Sequence, residues 1–423
     1  MSSRSKYGIQ KCFYSTKTFQ QLGISTPTCQ NLKINFNITQ PTFAQQELIP
    51  ALLQGNRDIL LRDATGTGKS FGIALTLASL ITPNSQSVRS LYIAPNQELA
   101  SQIGIWMQQL TPHSNQIRVM AGPDTTQVLA SHTVIGTPGR ILESIGQGEL
   151  PVQTLDRLIV DEVDQALSLP RRHAPLREQR MRAKHPKPAE LLLDKLQQFK
   201  SRHQTILTSA TFNRPLRFFL NKRGYVHDPL FLDLNKSSTT DHTAVVKHHC
   251  LLISDDKIRN MQENKLMIRE QEKKTLAFDD TDERMIESVA TLQEIEIVHN
   301  GILFVSPSVS IEAIKDQLAE YQVSAEDIKN YSADHAQNIL WIATEFTARG
   351  IDIPDVSHVF ILGRPSSTAA YLHMAGRTGR LSPSGFRPGK VINLVRDHEW
   401  TESKMKNMYE LLNIPVEDYE YVE

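Results

Sequence analysis

The sequence predicts two α/β domains in tandem, each a mostly parallel sheet flanked by helices, and three observations carry that expectation. Short apolar runs rich in β-branched residues recur, each followed by a segment of helical periodicity. The runs fall into two series, separated by a stretch rich in Ser, Thr, Asp and His. At about 150 residues per domain, 423 residues suffice for two to three domains that each bury a core.

The first series comprises Asp58 to Leu61, Leu91 to Ala94, Thr133 to Ile135, Leu158 to Val160 and Thr205 to Leu207. The second comprises Ile302 to Val305, Ile339 to Ile342, Val359 to Leu362 and Val391 to Val395. Strand followed by helix reads as parallel sheet with helical crossovers. Between the two series, residues 234–247 read as an interdomain linker. Two segments interrupt the order. Arg171 to Pro188 carries Arg171, Arg172, Arg177, Arg180, Arg182, Lys184 and Lys187 against Glu178 alone. It reads either as a solvated surface loop or as an arm that contacts phosphates. Asp255 to Glu287 is dense in alternating charge with Ile258, Met261, Met267 and Ile268 interspersed, which favours a long exposed helix or helical hairpin. No strict repeat of solenoid length is present.

Lys+Arg and Asp+Glu both number 46, so no global field attracts a polyanion and any such partner must be met by a local site. With 40% apolar and 22% charged residues and a mean hydropathy of -0.32, the composition is that of a globular protein. Cys12, Cys29 and Cys250 cannot form a disulfide framework and are not spaced as metal ligands, which points to a reducing compartment. No apolar run approaches the ~18–20 residues of a membrane span, so no membrane insertion is expected. From Met1 to Gln46 there is no acidic residue, while Arg4, Lys6, Lys11, Lys17 and Lys33 stand among Ser, Thr and Gln. That is the composition of a mitochondrial transit peptide, with residues 1–18 as the targeting segment.

After the first apolar run comes Arg62-Asp63-Ala64-Thr65-Gly66-Thr67-Gly68-Lys69-Ser70, and a helical run follows from Phe71. Glycines permit the tight path on which backbone N–H groups face phosphate oxygens, and the helix start adds partial positive charge. Lys69 suits the β- and γ-phosphates, and the Ser70 hydroxyl suits Mg²⁺. The strict G-x4-GK[ST] spacing is not met, because position 63 is Asp. The run Leu158-Ile159-Val160 leads into Asp161-Glu162-Val163-Asp164, carboxylates delivered at the edge where open α/β sheets place ligands. Asp161 is expected to hold the metal and Glu162 to serve as base toward water.

The ordered set of motifs from Phe19 to about Val395 resembles a DEAD-box ATP-dependent RNA helicase of helicase superfamily two. The resemblance implies two tandem RecA-like domains: an N-terminal ATP-binding domain over 19–233 and a C-terminal helicase domain over 248–423. Pro41-Thr42-Phe43-Ala44-Gln45 resembles the family's adenine-reading element, with Phe19 as its upstream aromatic. Gly122 and Thr137-Pro138-Gly139-Arg140 are similar to elements that bind RNA phosphates in the first domain. Ser209-Ala210-Thr211 resembles the motif that couples hydrolysis to RNA, which also implies coupling roles for Asp164 and His373. Ala343-Thr344-Glu345-Phe346-Thr347-Ala348-Arg349-Gly350-Ile351-Asp352 is similar to the family's ATD-x-x-ARG-x-D element. Thr344 and Arg349 are thereby implied to contact RNA, and Asp352 the nucleotide. His373-Met374-Ala375-Gly376-Arg377-Thr378-Gly379-Arg380 resembles its HR-x-GR-x-GR element. Three residues apart, Arg377 and Arg380 are expected on one helical turn, pointing the same way as arginine fingers. With ATP and Mg²⁺ as cofactors, the implied action is local strand separation through contacts to sugar and phosphate.

Several positions depart from the family pattern. Asp63 places a carboxylate in the phosphate loop unless it turns away or is neutralised by Arg62. Asn96-Gln97 stand in place of Thr-Arg, Met374 in place of an arginine, and Glu345 in place of an aspartate. The segment from Pro307 to Ile339 is short and lacks the usual His-Gly and Gln-x-x-Arg elements, so part of the second domain's RNA grip and a strand connection are expected to be missing or remodelled. These departures predict weak RNA-stimulated ATPase. An ATP-gated RNA clamp or assembly scaffold therefore stays open as an alternative, as does a DNA translocase, against which Phe19, Gln45 and the Ser-Ala-Thr element argue. The acid-free leader, the Asp-Glu-Val-Asp spelling and the basic insertion resemble the fungal mitochondrial branch of the family, which serves large ribosomal subunit assembly. Ribosomal RNA, pre-ribosomal proteins, a monomeric chain and the mitochondrial matrix are the corresponding expectations, with cytoplasm or nucleus as the other locations.

Overall fold

The computed structural model describes residues 17–63, 66–121, 131–170, 174–199, 202–234, 246–261, 282–332, 338–348, 353–382, 385–398 and 400–422. The chain divides into two units, with the boundary between Leu234 and Asn235.

In the first unit the helices α1 (Thr26–Phe36) and α2 (Phe43–Gln54) lead into β1 (Ile59–Arg62) and α3 (Lys69–Leu80). Then come β2 (Ser90–Ile93), α4 (Gln97–Leu110), β3 (Ile117–Met120), β4 (Thr133–Gly136) and α5 (Pro138–Gly146). The unit continues with β5 (Arg157–Val160), α6 (Val163–Leu167), α7 (Leu176–Lys184) and α8 (Pro188–Gln197). It closes with β6 (Gln204–Ser209), α9 (Arg214–Lys222) and β7 (Leu230–Asp233). The seven strands form one sheet in the order β3-β4-β2-β5-β6-β1-β7, parallel throughout. Strands covered on both faces are buried along their whole length, as every residue of β2, β4 and β6 is, with apolar residues at their centres and Gln204, Thr205, Thr208 and Ser209 among the buried polar ones. Two apolar layers sandwich the sheet, one including Leu61, Ile73 and Tyr92, the other Leu60, Val160 and Leu207.

The second unit opens with β8 (Val246–Ile253), β9 (Ile258–Asn260) and α10 (Glu283–Ile295). It continues through β10 (Gly301–Val305), α11 (Ile311–Glu320), β11 (Ala325–Asp327) and β12 (Leu340–Thr344). Next are β13 (His358–Leu362), α12 (Thr368–Ala375), β14 (Leu381–Ser382) and β15 (Gly385–Phe386). Last come β16 (Gly389–Arg396) and α13 (Thr401–Leu412). Its main sheet runs β11-β12-β10-β13-β16-β8-β9, with only β9 antiparallel to its neighbour. The nine expected strands are all present within a residue or two.

Four expectations are corrected. The linker as drawn, residues 234–247, overlaps β8, because Val246 and Lys247 already pair with Gly389 and Lys390. Ile258 lies in the hairpin strand β9 rather than a long helix, since its partner Ile253 completes a ladder there; Met267 and Ile268 fall outside the described residues. Between Pro307 and Ile339 the strand connection is not lost: α11 leads into the short edge strand β11, which pairs with β12. Over 176–184 the basic insertion is not a loop but the exposed helix α7, anchored where Arg182 donates to Leu167 O at 2.8 Å and pairs with Glu190 at 2.7 Å. Arg171 and Arg172 lie outside the described residues.

A mostly buried ion cluster ties the second unit's sheet to its C-terminal segment. Glu296 accepts from Lys390 and from the Tyr419 hydroxyl at 2.9 Å, and faces His358 Nε2 at 3.4 Å. Burial alone raises its pKa, but the bonds from Lys390 and Tyr419 outweigh burial and bring it below the ordinary 4.5. A depressed carboxylate adds stability that is present above its ordinary pKa and is lost as pH falls through the folded value. Glu296→Gln is therefore expected to lower the melting temperature at pH 7 and to flatten its decline below about pH 4.5. Parallel acid limbs in wild type and variant would refute this linkage.

Candidate active site

The C-terminal ends of β1, β6 and β5, neighbours in the first sheet, carry the phosphate loop, the Ser-Ala-Thr element and the acidic element side by side. This is the edge at which a parallel sheet offers loops and helix starts to a ligand. Gly66 and Gly68 have φ of 79° and 86°, the left-handed region that a side chain disfavours, and α3 starts immediately after Gly68. Lys69 and Ser70 are half-buried at that helix start. The Lys69 ammonium donates to Asp63 O at 3.2 Å. Thr65 lies outside the described residues.

The Asp63 side chain turns into the phosphate loop itself. It is buried, and its Oδ2 accepts from the Thr67 hydroxyl at 2.5 Å. Arg62 pairs with Asp233 at 3.5 Å. The carboxylate thus braces the loop from within.

Gln45 is held against this loop. Thr42 caps α2 by accepting from Gln45 N at 3.2 Å, and the Gln45 side chain returns the bond by accepting from Thr42 N at 3.0 Å. Gln45 Nε2 donates to Gly68 O at 3.2 Å, and the Thr42 hydroxyl donates to Thr67 O at 3.2 Å. A carboxamide has two N–H groups and two lone pairs, so one of each is left for a purine edge. The contact works only because position 72 lacks a Cβ: one built there would lie 2.9 Å from Gln45 Cγ. Phe19 is buried in the apolar cluster with Leu22, Ile24 and Leu52, where it also anchors the segment before α1.

Asp161 forms the centre of the site. It is buried, and Ser70 Oγ donates to its Oδ2 at 2.7 Å, joining the phosphate loop to the acidic element. The Tyr92 hydroxyl donates to the same oxygen at 2.6 Å, while the Thr208 hydroxyl and Glu162 N, the latter at 3.1 Å, serve Oδ1. Burial, then the charge and hydrogen bond of Asp161, push the Tyr92 pKa well above 10, so the phenol is a neutral donor. Glu162 adopts φ 49° and ψ 52°, a left-handed conformation that costs a side-chain-bearing residue about 1–3 kcal/mol. Its N–H bonds to Asp161 and Thr208 hold it there. The coupling residues also meet: the Thr211 hydroxyl donates to Asp164 at 2.7 Å, and Thr211 N donates to Ser209 Oγ at 2.9 Å. Ser70 and Asp161 are hard oxygen donors beside a phosphate loop, which fits Mg²⁺, an ion that takes one or two protein oxygens and completes its shell with phosphate and water. No group of three or more His, Cys, Asp and Glu forms a metal cage among the described residues.

Thr137 precedes α5, with Pro138 buried; a Cβ at Gly139 would meet nothing within 4 Å, so the helix start is open for phosphate. Arg140 pairs with Glu143 at 2.6 Å. Asn96 caps α4 through Leu99 N at 2.9 Å, a local reason for an Asn at that position. In the second unit, Thr344 and Thr347 exchange hydrogen bonds that close the turn after β12, and Glu345 accepts from Ser366 at 2.8 Å. His373 and Met374 are buried on α12. Arg377 and Arg380 do not share a helical turn, because α12 ends at Ala375 and Gly379 between them has φ 65°. The Thr378 hydroxyl pins this turn to Val356 O at 2.5 Å. Gly122, Arg349 and Asp352 lie outside the described residues. Sequence reasoning missed Gly72, Tyr92 and Thr208 as contributors to the site.

Residues 42–219 match the DEAD/DEAH box helicase family, and residues 256–382 match the helicase conserved C-terminal domain. The chain belongs to the DEAD-box RNA helicase family. Enzymes of this family hydrolyse ATP coupled to RNA unwinding, and the chain is one of them. The DEAD-box ATP-dependent RNA helicase CshA of Bacillus cereus is 26% identical over 418 residues, covering 92% of this chain and 69% of CshA. RNA helicase CrhR of Synechocystis sp. is 26% identical over 413 residues, covering 95% and 75%. Among solved structures, S. cerevisiae Dbp5 bound to RNA and ADP BeF3 superposes with a TM-score of 0.70 at 20% identity, covering 94% of each chain. DEAD-box helicase Mss116 bound to ssRNA and UDP-BeF gives 0.69 at 20% identity, covering 96% of this chain and 81% of that one. The helicase thus has the fold of two RecA-like domains.

The packing of Gly72 against Gln45 yields a test. Gly72→Ala should raise the dissociation constant of an ATP analogue about tenfold, within the ~1–3 kcal/mol typical of overpacking, while the helix-favouring Ala leaves the melting temperature nearly unchanged. Unaltered affinity would show that Gln45 does not help to hold the nucleotide.

Proposed function

We propose that this helicase binds ATP with Mg²⁺ on the first unit and uses its hydrolysis to separate or remodel short stretches of structured RNA. The observation that carries the reading is the 2.7 Å bond from Ser70 to Asp161, which puts the phosphate loop and the acidic element in one site. Lys69 and the N–H groups at the start of α3 hold the β- and γ-phosphates. Ser70 and Asp161 hold the metal, which when bound neutralises charge on the phosphate oxygens. Glu162 orients and deprotonates water, and Arg377 and Arg380 balance the charge that develops on the transferred group. Because these arginines stand on the second unit, hydrolysis on this reading depends on the two units closing. The open start of α5 and the Thr344 turn contact RNA sugar and phosphate, so sequence matters little. The acid-free leader and the basic helix α7 support ribosomal RNA in mitochondrial ribosome assembly as the setting, with the chain acting as a monomer alongside pre-ribosomal proteins.

A second reading, an ATP-gated RNA clamp with weak unwinding, is favoured by the Asp63 carboxylate inside the phosphate loop and by Met374 standing in the core in place of an arginine. ATP turnover separates the two. On the first reading RNA stimulates hydrolysis, and Glu162→Gln lowers the rate by about 10²–10⁴, the usual contribution of a positioned acid or base. Equal rates for both proteins, with and without RNA, would leave only the clamp.

A further inference from the structure

Beyond the residues already given roles in the reaction, two buried hydroxyls converge on the metal-holding carboxylate. Tyr92 on β2 is 0% exposed and Thr208 on β6 is 1% exposed, and β2 and β6 flank β5 on either side in the sheet. Register places Tyr92 beside Ile159 and Thr208 beside Leu61, close to the C-terminal ends of their strands. Asp161 extends the same ladder, donating from its N–H to Ile93 O at 3.0 Å. Each neighbouring strand therefore sends one hydroxyl to one carboxylate oxygen, Tyr92 to Oδ2 and Thr208 to Oδ1.

Neither hydroxyl is demanded by the fold. Strands covered on both faces are ordinarily filled by apolar side chains, and the strand neighbours of these two residues are Leu91, Ile93 and Leu207, with Ser209 following Thr208 at the site edge. Burying an O–H costs free energy unless it finds an acceptor, and here both find the same one. With Ser70 and Glu162 N, Asp161 receives four donors on two oxygens, and three of them, Tyr92, Thr208 and Glu162 N, are independent of the phosphate loop. Such a carboxylate cannot swing about its side-chain torsions without breaking buried bonds. Its Oδ2 stays turned toward Ser70, the other oxygen donor for the divalent ion.

We propose that Tyr92 and Thr208 are positioning residues that clamp the Asp161 carboxylate from both neighbouring strands and thereby set the affinity of the nucleotide site for its divalent cation. The inference rests on the reading of Ser70 and Asp161 as the metal-holding pair. Partners that orient a ligating group commonly contribute about 10–100-fold to metal affinity. The two hydroxyls act on the ion through Asp161.

The test uses the full chain with Tyr92→Phe, Thr208→Val and, as the conservative control, Thr208→Ser. Mn²⁺ binding to the protein–ADP complex is followed by electron paramagnetic resonance, and affinity for a fluorescent ADP analogue is measured with Mg²⁺ and with EDTA. Tyr92→Phe and Thr208→Val are each expected to weaken Mn²⁺ binding about tenfold, to leave metal-free nucleotide affinity within about twofold, and Thr208→Ser to behave as wild type. Unchanged Mn²⁺ affinity in both variants would overturn the proposal, and so would an equal loss with and without metal, which marks general damage to the site. Should Tyr92→Phe fail to fold, the contrast between Thr208→Val and Thr208→Ser decides alone. A wild-type protein whose nucleotide affinity ignores divalent ions would instead overturn the underlying metal-site reading.

Discussion

A single buried carboxylate organises the first unit. Asp161 emerges from the middle of a parallel sheet, and Ser70 of the phosphate loop, Tyr92, Thr208 and Glu162 N are all bonded to it. Burying an ionised group without partners is prohibitively costly, so the sheet must deliver donors to it. Tyr92 comes from β2, Thr208 from β6 and Ser70 from the helix after β1. The order β2-β5-β6-β1 is what allows three separate stretches of sequence to meet at one atom group. The same bonds hold Glu162 in its left-handed conformation, so the backbone strain at that residue is balanced where it arises.

The phosphate loop obeys a second constraint, close packing against α2. Thr42 and Gln45 each reach across to a loop carbonyl, and the glycines at 68 and 72 leave room for the Gln45 side chain. The purine-reading element and the phosphate-reading element are therefore one mechanical piece. Asp63 belongs to that piece as well: with its carboxylate bonded to Thr67, it adds rigidity to the loop at the cost of placing negative charge near the phosphates.

Much of this was legible in the residues themselves. Continuous apolar runs such as Leu158-Ile159-Val160 announce a strand buried on both faces, and glycines before Lys69-Ser70 announce a loop that only such backbone can follow. What stayed hidden depended on distance along the chain. Tyr92 reads as an ordinary core residue, because only the register of β2 against β5 brings its hydroxyl to Asp161. Gly72 reads as a small residue in a helix, because nothing local shows Gln45 lying over it. The edge strand β11, Ala325–Asp327, has no apolar alternation to betray it, and β8 begins at Val246 and Lys247, inside a stretch whose Ser, Thr, Asp and His read as linker. Arg377 and Arg380 were spaced for a helix, but Gly376 and Gly379 end that helix first.

The most direct test of the account is hydrogen–deuterium exchange of the full chain with and without a non-hydrolysable ATP analogue and Mg²⁺. The account predicts slower exchange of the amides around Gly66–Gly72, Asp161–Asp164 and Ser209–Thr211, with little change on the opposite edge of the first sheet. Protection that avoids these segments, or none at saturating nucleotide, would contradict it.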